Sequence, residues 1–340
     1  MTSGSAPGRA ADGARTIFFG SGSFAVPILD ALAGDSRLEL SAVVSAPDRP
    51  SGRNREVTPT PVAARAAALR IPLLQPDRVR APEAIAELIG LQPDLGVLAD
   101  YGQIIPRSLL DLPPHGILNV HPSLLPRHRG ATPIPATIAA GDDRSGVTII
   151  RMDDGIDTGP IVARQSWPLT GTEHAPELEA HAAREGAELL LRTIDPWLAG
   201  TAPAIPQTPA GATLTRPFRR DDGRLDPGRP AVELERQVRA FAPWPGSFMD
   251  TPAGRLVLHE ASVGDSAPGD EQGTLVRHRD RLALATSDGR LVLDRVQLAG
   301  RRAVGGNEFL HGQAGLVGAL VNGALPGAAA VGATSSGSAT

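Results

Sequence analysis

Apolar residues gather in short runs along the first two hundred positions, and between the runs they recur at helical spacing. Residues 16–20 form an apolar run leading into a glycine-rich turn, after which Phe24, Ile28 and Leu32 fall four apart. Residues 38–45 read as the next strand, and residues 94–99, 116–121 and 147–151 as buried ones. Residues 62–69 and 83–91 carry helical periodicity. Strands alternating with helices predict an α/β fold: a doubly wound parallel sheet covered on both faces. A long helix is expected over residues 174–198, interrupted near Pro196.

Beyond residue 200 the pattern changes. Residues 199–211 are rich in Pro, Ala and Thr and read as a connecting stretch. Short strands at 255–259, 273–277, 281–286 and 290–296, separated by turn residues, predict a small C-terminal β-barrel of OB-like type. The expected organisation is therefore a disordered tail at 1–14, a first domain at 15–200, a linker at 201–211, a β-barrel domain at 212–322 and a disordered tail at 323–340.

Composition removes whole classes of chemistry. There is no Cys, hence no thiolate nucleophile, disulfide or Cys-ligated metal. Lys is also absent, so all 33 basic residues are Arg, and neither a Schiff base nor a Walker-type phosphate loop can be built. A net charge of −4 advertises no nucleic-acid partner, so RNA would have to be met by local basic patches. No window approaches the roughly 18 apolar residues of a membrane span, and the first residues do not form a secretion signal. A cytoplasmic enzyme is the expectation.

Candidate chemistry concentrates in Leu118-Asn119-Val120-His121-Pro122-Ser123-Leu124-Leu125-Pro126-Arg127-His128-Arg129-Gly130. Asn119 and His121 lie two apart on a strand and so leave the same face. Pro122 stops the strand and Pro126 stiffens the loop. The carboxyl ends of such strands are where open α/β sheets bind ligands. An amide donor beside an imidazole can grip an oxyanion and move a proton, as acyl transfer to an amine demands. The following strand leads into Met152-Asp153-Asp154-Gly155-Ile156-Asp157-Thr158-Gly159-Pro160, a glycine-punctuated acidic loop able to bring a carboxylate to the same edge. Taken singly, His121 also fits a satisfied structural histidine and Asp157 a solvated turn.

These two motifs, at this separation, resemble the folate-dependent formyltransferase superfamily. The resemblance implies a Rossmann-like catalytic domain with a catalytic trio falling on Asn119, His121 and Asp157. It further implies 10-formyltetrahydrofolate as formyl donor, lodged where Ser123, Leu124, Leu125 and Pro126 meet Tyr101, Gly102 and Gln103. Direct amine attack through a tetrahedral intermediate follows, with no metal. The turn Phe18-Phe19-Gly20-Ser21-Gly22-Ser23-Phe24-Ala25-Val26-Pro27 looks like the superfamily's first strand-to-helix turn. The stretch Pro47-Asp48-Arg49-Pro50-Ser51-Gly52-Arg53, followed by Thr58-Pro59-Thr60-Pro61-Val62, is similar to the loop of the branch acting on methionyl-tRNA, where it reaches the tRNA acceptor end. Proline lowers the ordering entropy of such a loop and guanidinium suits phosphate, so Arg49, Arg53, Arg55, Arg127 and Arg129 are the expected tRNA contacts. Pro243-Trp244-Pro245 matches a signature of the same branch, with Trp244 expected as a core aromatic. The implied partners are methionyl initiator tRNA and a folate, without membrane or DNA, and the chain is expected to act as a monomer.

Two departures stand out. Residues 216–226 replace a usually Lys-rich segment, and between Arg216 and Arg302 there are 15 Arg against 13 Asp plus Glu, which predicts a weak electrostatic share in tRNA affinity. Asp100 occupies a place where the superfamily commonly has a small residue. Rival readings are a dehydrogenase, because Gly20-x-Gly22-x-x-Ala25 satisfies a loose dinucleotide fingerprint with Asp35 and Glu39 near the expected distance, an RNA-binding module, and a formyltransferase using a sugar nucleotide or water as acceptor.

Overall fold

A computed structural model describes residues 13–51 and 56–322. The chain forms two compact units divided between Pro217 and Phe218. In the first unit the chain runs β1 (Ala14–Gly20), α1 (Ala25–Ala33), β2 (Leu38–Val44), β3 (Arg49–Ser51), β4 (Glu56–Thr58), α2 (Pro61–Leu69), β5 (Leu73–Leu74), α3 (Pro82–Gly90) and β6 (Leu95–Ala99). It continues through α4 (Arg107–Leu110), β7 (Ile117–His121), β8 (Arg129–Gly130), α5 (Pro133–Ala140), β9 (Arg144–Arg151), β10 (Ile161–Pro168), α6 (Ala175–Leu198) and β11 (Leu214–Thr215).

Seven strands make the main sheet in the order β10-β9-β7-β6-β1-β2-β5. From β7 to β5 all neighbours are parallel, as expected. At the other edge the sheet is mixed, because β9 runs antiparallel to β7 and β10 antiparallel to β9. The short loop 152–160 between β9 and β10 suits an antiparallel return, whereas a parallel one needs a long crossover. Strand order reverses between β1 and β6, placing a topological switch point at their carboxyl ends. The strands are rich in Val, Ile, Leu and Phe because both faces are covered; Phe18, Val44, Leu95, Ile117 and Leu118 are fully buried. Helix α6 packs closely on the sheet at Gly186, where any side chain would press on Val120 and Val147. Pro196 lies in its last turn and the helix continues to Leu198, since a proline so near the end costs few intrahelical bonds.

Two expected boundaries move. Ala14 already pairs with Leu38, so the sheet takes in the end of the expected tail; residues 1–12 and 323–340 lie outside the described residues. The expected linker at 201–211 instead runs back along the first unit. Ile205 exchanges backbone hydrogen bonds with Ile161 at 2.7 and 2.9 Å, and β11 pairs with β8. Its prolines and small residues suit an extended strap, a shape that composition alone does not distinguish from a free linker.

The second unit comprises α7 (Ala231–Ala240), β12 (Ser247–Thr251), β13 (Gly254–Gly264), β14 (Leu275–His278), β15 (Arg281–Ala285), β16 (Arg290–Leu298), β17 (Ala303–Gly305) and α8 (Gly306–Gly312). Its antiparallel sheet has the order β12-β13-β16-β15-β14, with β17 on β16. Register shifts between Leu258 and Ala261 bend the long strand β13, and such bulges curl a sheet. Leu234, Met249, Leu256, Leu284, Leu293 and Phe309 fill the interior. Trp244, expected in a core, is 55% exposed, while Phe248 nearby is 3% exposed. The core-facing aromatic of this stretch is therefore Phe248, which lies under the guanidinium of Arg255, 4.1 Å from its ring centre.

Candidate active site

Strand β7 delivers Asn119 and His121 from one face at its carboxyl end, and they are only 6% and 5% exposed. A third group arrives from the loop after β9. The Asp153 carboxylate accepts hydrogen bonds from Thr158 Oγ1 at 2.6 Å and the Gly155 N–H at 3.1 Å, which shapes the turn. Asp157 follows in the left-handed region, φ +51°, sparsely populated but tolerated best by Asp and Asn among side-chain-bearing residues.

The carboxylate of Asp157 gathers the site. Its Oδ1 accepts from Asn119 Nδ2 at 2.9 Å, and its Oδ2 from the backbone N–H of Gly130 at 2.8 Å. His121 Nδ1 stands 3.5 Å from the same Oδ2. The other ring nitrogen, Nε2, lies 3.0 Å from the carbonyl oxygen of His128. Both imidazole nitrogens thus face oxygen atoms, one of the Asp157 carboxylate and one of a backbone carbonyl. Gly130 is required where it stands: its φ is +98° and a side chain would collide with the carbonyl of Thr215. The trio expected from sequence is brought together here. The backbone donor of Gly130 was not foreseen, because sequence shows side chains rather than aimed amides.

A second histidine supports the first. His128, itself at φ +59°, is held by Asp142 Oδ2 at 2.8 Å from its Nε2, and its backbone N–H donates to Thr213 Oγ1 at 2.8 Å. Arg127 Nε donates to the same Asp142 oxygen at 2.9 Å. Burial holds the His128 imidazole below the ordinary histidine range, against the pull of Asp142. For Asp142 burial pushes upward, but the hydrogen bonds from Arg127 and His128 together hold its carboxyl below the ordinary carboxylate range. With both folded-state values depressed, the unfolded chain binds more protons, so this cluster stabilises the fold above the ordinary histidine value and loses that contribution as pH falls. Asp142→Asn is expected to cost about 2 kcal/mol at pH 7. The deficit should shrink through the acid range as the parent chain loses the same contribution. Urea midpoints for both chains between pH 7 and 3 check this; a deficit independent of pH counts against it.

The residues expected to face a folate are placed as follows. Leu125 and Ser123 are buried; Ser123 Oγ donates to the Arg127 carbonyl at 2.7 Å. Thr148, fully buried on β9, donates to the Ser123 carbonyl at 2.6 Å and accepts from the Leu125 N–H at 3.2 Å. Leu124 packs over Gly146, and Pro126 is half-buried. Residues 123–126 thus form a loop fastened to β9. Tyr101 packs edge-on to Phe19, its hydroxyl buried without a partner among the described residues, and burial pushes its phenol up. Gln103 spends its amide on the Val79 N–H, at 2.9 Å, and the Pro76 carbonyl, at 3.3 Å. Only Gly102 of that trio is open, at φ +81°. These two segments are brought to the sheet's carboxyl edge mainly as backbone. Among the expected tRNA contacts, Arg49 is exposed on the β3–β4 hairpin, Arg127 pairs with Asp142, and Arg129 donates to Gln207 Oε1. Arg53 and Arg55 lie outside the described residues.

The dinucleotide reading meets an obstacle at the β1–α1 turn. Asp100, at φ +45°, lays its carboxylate against Gly22, and Ser23 Oγ donates to the Glu179 carboxylate at 2.6 Å. Desolvation in this crowded cleft, then the charge of Glu179, push the Asp100 carboxyl up. Two carboxyl groups crowd the place where a pyrophosphate would need bare backbone N–H groups. Among the described residues no group of three or more His, Asp or Glu could hold a metal ion, and no helix is long and apolar enough to cross a membrane.

Comparison with known proteins adds to this geometry. Residues 14–194 match the family model described as formyl transferase, and residues 218–314 match the formyl transferase C-terminal domain. The chain is 40% identical over 299 residues to a methionyl-tRNA formyltransferase of Roseiflexus castenholzii, covering 88% of this chain and 96% of that one. It is 42% identical over 304 residues to a methionyl-tRNA formyltransferase of Halorhodospira halophila, again 88% and 96% of the two chains. Among solved structures, an N-formyltransferase from Helicobacter canadensis in complex with folinic acid and dTDP-3-aminofucose shares the fold, with a TM-score of 0.58 and 15% identity over 82% of this chain and 98% of that one. HypX from Aquifex aeolicus in complex with tetrahydrofolic acid gives a TM-score of 0.58 at 17% identity, over 88% and 47% of the two chains.

Proposed function

The chain belongs to the formyltransferase family, among the methionyl-tRNA formyltransferases, and from that membership we propose that it moves a formyl group from 10-formyltetrahydrofolate to the α-amine of methionine on initiator tRNA. It thereby serves translation initiation, and the cytoplasm is its proposed place of work. The observation that carries this reading is the convergence of Asn119, His121 and the Gly130 N–H on the one carboxylate of Asp157, at the sheet's carboxyl edge.

The donor set suits acyl transfer to an amine. When bound, the folate supplies an activated formyl group on a nitrogen that can leave. The Asn119 amide has two N–H groups and spends one on Asp157. The remaining N–H is proposed to donate to the formyl oxygen as negative charge develops there. His121, recessed beside it, is proposed to stabilise that oxygen and pass a proton to the departing nitrogen. Asp157 fixes the orientation of both and takes up the amine's proton through water. Backbone around Gly102 and the fastened loop 123–126 are the proposed walls for the folate. Arg49, with Arg53 and Arg55, is proposed to meet the tRNA acceptor end, and the N–H groups that Arg127 and Arg129 do not spend within the chain are available to phosphate. The protein is proposed to act as a monomer.

An assay with isotopically labelled formyl donor tests this directly, offering charged initiator tRNA, a sugar amine or no acceptor. Label is expected on the charged tRNA alone. Label on the sugar amine, or free formate without an acceptor, overturns the reading.

A further inference from the structure

Gln207 lies in the strap that follows α6, inside the stretch expected as a linker and outside every motif to which the sequence assigned chemistry. Its amide nitrogen donates both hydrogens inward, one to the carbonyl of Asp157 and one to that of Gly159, each at 2.8 Å. Its Oε1 accepts from Arg129, at 2.7 Å from Nη2 and 3.2 Å from Nε. The amide orientation is fixed by these partners, since carbonyls can only accept and a guanidinium can only donate. The next residue along from Arg129 is Gly130, whose N–H holds the Asp157 carboxylate. A closed ring results: Gln207 to the Asp157 backbone, the Asp157 side chain to Gly130, and Arg129 back to Gln207.

We infer that Gln207 is a positioning residue for the transfer reaction, holding Asp157 in its left-handed backbone conformation so that one carboxylate reaches Asn119 and His121 together. This rests on the formyl-transfer reading above. Asp157 stands at φ +51°, a conformation that persists only where surrounding contacts over-determine it. Gln207 supplies such contacts at the Asp157 and Gly159 carbonyls. No other side chain does this with equal economy. Glu places an oxygen against two carbonyls, Asn is a methylene short, and Met has the length without any N–H. The strap itself does not depend on Gln207, because Ile205 pairs with Ile161 on one side of it and β11 with β8 on the other.

Gln207→Met and Gln207→Glu test the inference in the full chain, using formyl transfer to charged initiator tRNA as readout. A parent chain that transfers no formyl group sinks the functional reading itself, before any variant is compared. With an active parent, both variants are expected to lose about 10- to 100-fold in kcat. The KM values for donor and tRNA should stay within about threefold, because no substrate contact is removed. The ratio of Gln207→Glu to parent turnover should rise as pH is lowered, because a protonated carboxyl can again donate to one carbonyl. A merely structural residue would give no such pH signature. Turnover within about twofold of the parent in both variants, a loss confined to KM, a Gln207→Glu deficit insensitive to pH, or loss of cooperative unfolding in both variants would each overturn the inference.

Discussion

Asn119→Ala is expected to lower kcat on the order of 100-fold or more, with little change in the KM for either substrate. Two losses combine in that number. The variant has no N–H to donate to the oxygen that becomes negative during attack, and Asp157 Oδ1 loses the donor that lies 2.9 Å away. Asn119 is 6% exposed at the end of a buried strand, so the vacated space is too recessed for bulk water to supply an aligned donor. Asn119→Asp removes the same two donations while keeping the shape, and it turns the donor into an acceptor facing Asp157. It should be at least as slow as Asn119→Ala. Steady-state kinetics of both variants decide the matter, and near-parental kcat in Asn119→Ala removes Asn119 from the reaction.

Asp157→Asn is expected to be slower still, by about 10³-fold, while the chain keeps its fold. The two oxygens of Asp157 face donors on both sides, Asn119 Nδ2 and the Gly130 N–H. An amide at this place must turn its own NH₂ toward one of them, so one donor meets another whichever way it flips. His121 also loses the negative charge standing 3.5 Å from Nδ1. The substitution removes no apolar packing, so the melting temperature should move by only a few degrees. Single-turnover transfer with saturating substrates isolates the chemical step. Transfer at the parental rate in a folded Asp157→Asn chain eliminates the trio as the reaction centre.

Much of this site is legible along the chain because strand geometry converts spacing into direction. Asn119 and His121 sit two apart, and no other fact is needed to place them side by side. The acidic loop is legible as a loop, since glycine and proline punctuate it, but which of its carboxylates turns inward depends on backbone conformation. Asp153 is spent on shaping the turn, and Asp157 reaches the site through a positive φ that composition does not reveal. The parallel core of the sheet follows from alternating strands and helices, whereas the antiparallel edge does not, because a buried run reads alike in either direction. Strand β12 and helix α7 escape a reading centred on the signature around Trp244, which proved to be largely exposed. Gln207 and Thr213 were the hardest to see. Each is one polar residue among others in a stretch of Pro, Ala and Thr, and what they do depends on where the chain returns in space.

That return has a consequence for how the chain can be cut and rejoined. The catalytic unit is finished only at β11, after the chain has passed back over the loops carrying Asp157 and His128. Composition places a seam near residue 200, yet a chimera joined there would take its Gln207 and Thr213 from the donor of the C-terminal half, mixing two lineages inside one hydrogen-bonded cluster. The division between the two compact units falls after Pro217, beyond the last residue of the strap, so a chimera joined there keeps Gln207 and Thr213 with the loops they hold.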